Sequence, residues 1–407
     1  MVPPHQTPEP SLPPSDDLRA PISKSSPRIP SLDGLRAVSI FLVLALHTLQ
    51  SYGMTHHVWL IWYGIFDGGT GVLIFFVISG YLITTLLLEE QRKRGSISLR
   101  GFYFRRAMRI LPPLYTYVGV LLLLGLAGRL VIYKLDILSA LFFFHDYALS
   151  RMWTLGHFWS LSIEEQFYLL WPFILIYCLR RFGTREEGAQ AGRHRAGVVA
   201  IAVICLSPVI RVLSFARSSY PFIGDSLHNS YGLHMHADSL MFGCLVALYQ
   251  GTPQFERVYR AATKIWWLPL AVILFADCIN LRLQNLWLLP VGYTLVGASA
   301  AIFLLWCVRN PSTLAGRILN ARFVMHIGVL SYSIYIWQTI FLHEDSASLW
   351  GAAHAYVGTF PGSWLAVLGV ASLSFYLIEK PSLRLRNRLI TSLRLYAARR
   401  QAARATN

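Results

Sequence analysis

Eleven apolar stretches recur along this 407-residue chain, near residues 36–52, 69–88, 111–128, 135–147, 158–180, 196–216, 234–250, 264–280, 287–308, 323–343 and 361–378. Most approach the ~20 residues a helix needs to cross a ~30 Å hydrocarbon layer. Soluble globular proteins average about 25% charged residues. Here 14% are charged and 55% hydrophobic, so the chain reads as an all-α polytopic membrane protein.

The net charge of +16 is explained by where the cations lie. They fall into six clusters: Arg19 to Arg36, Arg92 to Arg109, Arg180 to Arg195, Arg257 to Lys264, Arg309 to Arg322, and Lys380 through the C-terminus. The positive-inside rule puts all six in the cytoplasm, so an even number of spans must separate each consecutive pair. Two fit every gap if the short 135–147 stretch, broken by Asp136, does not cross. The expectation is ten transmembrane helices with one short non-spanning segment and both termini cytoplasmic. Residues 1–30, polar and rich in Pro and Ser, read as a disordered cytoplasmic tail; 31–381 form the membrane domain and 382–407 a basic cytoplasmic tail. Topogenic charge leaves nothing to support nucleic-acid binding. The first span itself serves as the insertion signal, since no short apolar leader with a cleavage site precedes it. Cys178, Cys205, Cys244, Cys278 and Cys307 show no metal-like spacing and read as small core residues.

Chemistry concentrates in a few places. Arg36 and His47 are eleven residues apart in one apolar run. On a helix that is about 16 Å of rise with only about 20° of rotation, so both share a face. An intramembrane imidazole is a functional candidate by default, the alternative being a histidine hydrogen-bonded to a neighbouring helix. In HFWSLSIEEQFYLLWP, residues 157–172, Ser160, Glu164, Tyr168 and Trp171 form a one-sided stripe. Glu164 and Glu165 either cap this helix or face the bundle interior, where His47 is the expected partner of Glu164.

In FYFRRAMRILPPLY, residues 102–115, Arg106 and Arg109 are i, i+3 neighbours beside Arg105 and Tyr115. Paired guanidiniums suit phosphate oxygens, although membrane anchoring explains them equally. Pro112 and Pro113 are expected to kink or restart the helix. Ser79 and Gly80, in GVLIFFVISGYLIT, either line a passage or permit close packing. On the outward side the ten-span topology gathers Asp67, His145, Asp146, His157, Glu164, Glu165, His228, His234, His236 and Asp238. His234 and His236, two residues apart, face different directions on a helix, so HMHADSL reads as interfacial rather than metal-binding, with Asp238 a candidate substrate contact.

SLDGLRAVSIFLVLALH, GVLIFFVISGYLIT, FYFRRAMRILPPLY, HFWSLSIEEQFYLLWP, HADSLMFGCLVA, LSYSIYIWQ and FYLIEKP occur in this order. Together they resemble the acyltransferase 3 family of bacterial membrane O-acyltransferases. The resemblance covers residues from about 30 to 381. It implies a multi-pass protein of the bacterial inner (plasma) membrane that moves an acyl group, acetyl by default, from cytoplasmic acyl-CoA to an outer-side hydroxyl, usually of a carbohydrate or glycosylated acceptor. The family's Arg–x10–His element falls on Arg36 and His47, its R-x-x-R on Arg106 and Arg109, and the glutamate of its W-S-L-x-x-E on Glu164. His47 and Glu164 are then the catalytic candidates. Arg36, Arg105, Arg106, Arg109 and Tyr115 are candidates for acyl-CoA, and Ser79, Trp159, Glu165 and Asp238 for the acceptor; no metal is called for. The chain ends 26 residues after Pro381, so the C-terminal hydrolase-like domain of some members is expected to be absent. That keeps two alternatives open: a half-enzyme passing its acyl group to a separate outer-side transferase, and a proton-coupled transporter.

Overall fold

The computed structural model describes residues 29–51, 68–148, 152–180, 186–218, 231–265, 267–282 and 291–405. Most of the expected N-terminal tail, Asp67 and His228 lie outside the described residues, as does the side chain of Cys278. The described residues are helical, without strands. In chain order they form α1 (Leu32–Ser51), α2 (Gly68–Arg94), α3 (Leu99–Leu126), α4 (Lys134–Leu141), α5 (Phe158–Arg180) and α6 (Glu186–Ser218). Next come α7 (Leu233–Tyr249), α8 (Pro253–Thr263), α9 (Trp267–Arg282), α10 (Tyr293–Arg309), α11 (Leu314–Leu319) and α12 (Arg322–Trp337). The short helices α13 (Thr339–Leu342), α14 (Ser346–Trp350) and α15 (His354–Val357) lead to α16 (Gly362–Ser374), a π-helical turn at Phe375–Glu379, and α17 (Lys380–Ala405).

The expected ten spans are not found. Among the described residues five helices are long and apolar enough to cross a membrane: Leu32–Ser51, Gly68–Arg94, Leu99–Leu126, Gln190–Ser214 and Gly362–Ser392. The number rises to six if Pro253–Thr263 and Trp267–Phe275, bent by 70°, count as one span. The reason lies in how the other apolar stretches are spent. α10 has 17 residues, and α12 has 16 before the helix bends at Gln338, both short of the ~20 that a full crossing takes. α5 is long enough but carries Glu164, Glu165 and Gln166. With five or six long helices, two spans cannot separate every pair of basic clusters, and the placement of both termini in the cytoplasm loses its basis.

α2 is the buried axis of the bundle, with 78% of its apolar window enclosed by neighbours. It packs most closely on α7, through small residues. A Cβ on Gly80 would lie 1.9 Å from the Leu240 carbonyl oxygen, and one on Gly243 would lie 2.1 Å from that of Val77. Backbone meets backbone there, which only glycine permits. α1 packs on α2 and α12, bringing Arg36 and His47 into the middle of the assembly.

Pro112 and Pro113 neither end nor restart α3, which is a single helix over 28 residues. Proline at 112 removes the amide that would have bonded the Met108 carbonyl. Ser382 of α17 supplies a hydroxyl to that carbonyl at 2.6 Å instead. Neighbouring groups thus satisfy the freed acceptor, which is how proline is tolerated inside membrane helices. Continuity of α3 also puts Arg105, Arg106 and Arg109 on the helix itself.

Candidate active site

Helices α1, α2, α3, α5 and α12 line a partly open cavity, with about 690 Å³ of empty space counting the part continuous with solvent. Its charged lining is Arg36, Arg106, Arg109, Glu164 and Glu165; Ser79, Ser160, Tyr168, Tyr332 and Tyr335 add hydroxyls, and Val72, Phe75 and Phe76 an apolar wall. Three guanidiniums from two helices therefore face one space. Each has an acidic neighbour, but at loose distances: Arg36 to Asp33 at 3.4 Å, Arg106 to Glu165 at 3.7 Å and Arg109 to Glu379 at 3.9 Å. Arg106 also stacks its guanidinium on the Tyr168 ring, 3.6 Å from the centroid. Arg36 donates a long hydrogen bond to Asp33, whereas the Arg106 and Arg109 contacts, beyond about 3.5 Å, are electrostatic only, so guanidinium donors remain for an incoming anion.

The α5 stripe inferred from spacing is real, and each member finds a cross-helix partner. Ser160 bonds the Tyr335 hydroxyl. Glu164 accepts from Ser79 at 2.5 Å, Tyr168 donates to the same Ser79 at 2.7 Å, and Trp171 donates to Thr84 at 2.8 Å. The two glutamates thus act on side chains of α2 and α3, away from the helix end. Ser79 lines the cavity while its neighbour Gly80 serves the α2–α7 packing, so the two expected roles divide between adjacent residues.

The structure does not bring His47 against Glu164. Glu164 lies among the arginines, on the cavity wall with Arg36. His47, three turns along α1, is not a lining residue. Its Nδ1 lies 3.0 Å from the Val43 carbonyl oxygen. A carbonyl can only accept, so Nδ1 carries the proton and Nε2 presents its lone pair. Backbone rather than a carboxylate selects this tautomer. Gln338 is a side-chain hydrogen-bond partner of the imidazole, and His157 and His343 are its electrostatic neighbours. His157 connects the two levels, because its carbonyl accepts from both cavity-lining hydroxyls, Tyr335 at 2.9 Å and Ser160 at 3.2 Å.

The remaining candidates divide. Arg105 pairs with Glu90 at 3.0 Å, and Tyr115 is 52% exposed; neither lines the cavity. Trp159 packs among Phe76, Tyr231 and His236 outside the lining. Asp238 is fully buried in an ion pair with Arg211 at 2.8 Å and accepts from Thr294 at 2.6 Å. His234 bonds the Tyr147 hydroxyl, and His236 is enclosed by aromatic rings. Among the described residues no three His, Cys, Asp or Glu side chains are gathered as a metal would need.

Sequence reading missed four contributors. Arg211 was concealed inside the apolar run of α6, although a lone cation there is itself a signal for a buried partner. Glu379 of FYLIEKP, read only as part of an end anchor, is 1% exposed and bonds Ser333. Tyr332 and Tyr335, one helical turn apart in LSYSIYIWQ, look like membrane-belt aromatics but line the cavity.

A family model described as an acyltransferase domain, acyltransferase 3, matches residues 29–343. The Bacillus subtilis protein named "Putative peptidoglycan O-acetyltransferase YrhL" is 29% identical over 387 residues, covering 87% of this chain and 54% of that protein. O-acetyltransferase OatA of Staphylococcus aureus is 28% identical over 381 residues, covering 88% of this chain and 57% of OatA. The chain thus spans about half the length of the curated relatives it matches. No solved structure matches it. With its long apolar helices and its match across most of the chain, this multi-pass protein of the bacterial inner (plasma) membrane belongs to the acyltransferase 3 family.

Proposed function

We propose that the protein is a membrane O-acyltransferase that moves an acyl group, acetyl by default, from acyl-CoA to a carbohydrate or glycosylated hydroxyl. The observation that carries this is the placement of three cavity-facing guanidiniums three turns along α1 from a buried histidine that is held by the Val43 carbonyl and Gln338. Arg36, Arg106 and Arg109 hold the phosphates of the donor, bidentate geometry favouring arginine for this task. The extended pantetheine arm covers the roughly 16 Å between the Arg36 and His47 levels. His47 Nε2 takes the proton of the acceptor hydroxyl as its oxygen attacks the thioester carbonyl. The C–S bond then breaks, and the thiolate leaves as CoA with the proton returned by the imidazolium. Glu164, held by Ser79 and Tyr168, balances the arginine charges. The acceptor class follows family membership and the peptidoglycan named in the description of YrhL.

A second reading has the acyl group handed to a separate transferase, and one experiment separates the two. The test is CoA release from acetyl-CoA by the purified protein in liposomes supplied with crude envelope glycans, wild type against His47→Ala. Steady release that the mutant abolishes supports complete transfer. A single-turnover burst that stalls favours the half-enzyme. Binding of acetyl-CoA without any release from wild type sinks the acetyl-donor reading, and substrate flux without CoA release points to transport.

A further inference from the structure

α17 leaves the π-helical turn and packs on α3. Ser382 fixes the contact by donating to the Met108 carbonyl at 2.6 Å. Arg386 stands four residues further along the same face of α17, so it too looks towards α3. There it meets cations, because Arg109 and Arg105 are its electrostatic neighbours. Arg384 and Arg388, on the other side of α17, are exposed, and topogenic charge accounts for them. It does not account for a guanidinium turned in beside two others. None of the ion pairs among the described residues includes Arg386. Its Nε and Nη2 donate to the neutral Asn387 side-chain oxygen, at 3.1 and 3.0 Å. A guanidinium offers more N–H groups than those bonds use, and the Nη1–Nη2 edge is left for a bidentate anion. Arg105, by contrast, is engaged by Glu90 at 3.0 Å. Arg109 lines the cavity and its side chain is 31% exposed, against 15% for Arg36 and 17% for Arg106, so it stands where the cavity meets solvent.

We propose that Arg386, together with Arg109, forms a second phosphate subsite at the entrance of the cavity and takes the ribose 3′-phosphate of the CoA donor; the inference rests on the acyl-CoA reading of the cavity. Coenzyme A carries two separate anionic groups, a pyrophosphate and a 3′-phosphomonoester on its ribose. The pyrophosphate leads into the pantetheine arm, so it lies deeper, against Arg36 and Arg106. The 3′-phosphate branches off on the adenosine side and stays nearer the entrance, where Arg386 stands beside the half-exposed end of the arginine row. A phosphomonoester is close to a dianion at neutral pH, and it matches the planar fork of arginine better than the point charge of lysine. Arg105 adds positive field there while bonded to Glu90. No bond forms or breaks at this subsite. It selects, by binding alone, CoA thioesters over thioesters that lack the 3′-phosphate.

The experiment measures Kd by thermal protection of the full chain in phosphatidylcholine nanodiscs, with and without phosphatidylglycerol. Two ligands are compared, acetyl-CoA and its 3′-dephospho analogue, on wild type, Arg386→Ala, Arg386→Lys and Arg384→Ala. Arg386→Ala should weaken acetyl-CoA about tenfold, the low end for a charge-assisted bond because the site is half-exposed. Wild type should lose about as much when the 3′-phosphate is removed. The alanine variant should then lose no more than about twofold further, since residue and phosphate are two halves of one contact. Lysine keeps the charge without the fork and should fall between. Arg384→Ala controls for general loss of basic surface and should leave both ligands within about twofold of wild type. Equal weakening of both ligands by Arg386→Ala, or of neither, overturns the proposal alone. So does an effect that follows phosphatidylglycerol instead of the 3′-phosphate, which assigns Arg386 to a lipid headgroup. A wild type that binds neither ligand overturns it together with the reading beneath it.

Discussion

At the Arg36 end of α1 each cavity guanidinium has an acidic neighbour, whereas at the His47 end the imidazole is held by a backbone carbonyl and a carboxamide. Cations must be compensated before they can leave water, so the first end is assembled in advance. Its ion pairs, at 3.4–3.9 Å, are nevertheless longer than the 2.8 Å Arg211–Asp238 pair that holds α6 to α7. A long pair keeps a charge tolerable while leaving donors for an anion, and a short one consumes them. The second end holds neutral groups, for which an unmet hydrogen bond costs far less than an unmet charge. On the proposed function, binding and chemistry then occupy two levels of one helix, built under different electrostatic constraints.

This contrast can be broken most forcefully at His47. His47→Ala should lower CoA release by about 10²–10⁴-fold, the usual worth of a general base, while acetyl-CoA still protects against thermal unfolding. Loss of that protection would mean the two ends are not separable. Asp238→Ala should instead act on the fold: breaking a buried pair typically costs about 3–5 kcal/mol, read as a lowered melting temperature with kcat per folded molecule retained. Lost turnover in still-folded protein would return Asp238 to the site. Arg106→Ala should raise KM for acetyl-CoA about 10–100-fold, as expected for losing a charge-assisted bond of about 1.5–3 kcal/mol, and leave kcat little changed. A kcat effect without a KM effect would move Arg106 to the chemical end. The smallest effect is expected for Ser79→Ala, where loss of about 0.5–1.5 kcal/mol from the Tyr168–Ser79–Glu164 chain should change KM only a few-fold.

Much of this was legible before any coordinates. The Arg36–His47 spacing, the one-sided α5 stripe and the adjacency of Arg106 and Arg109 are consequences of helical periodicity, and the structure keeps all three. The all-α membrane class followed from composition, because only helices and closed barrels satisfy their backbone in lipid. The span number did not follow. Hydropathy registers where apolar residues lie, but not whether a helix runs through prolines, as α3 does, or stops at a polar residue, as α12 does before Gln338. Helix depth was equally hidden. Glu164 and His47 each lie on an inward face, yet spacing within one helix carries no information about its shift along a neighbour, and Glu164 fell among the arginines. Local periodicity therefore determined which residues look inward. Only the packing of α1, α2, α5 and α12 decided who meets whom, because cross-helix partners such as Ser79 with Glu164 and Gln338 with His47 depend on axial offset, which close side-chain and backbone contacts set.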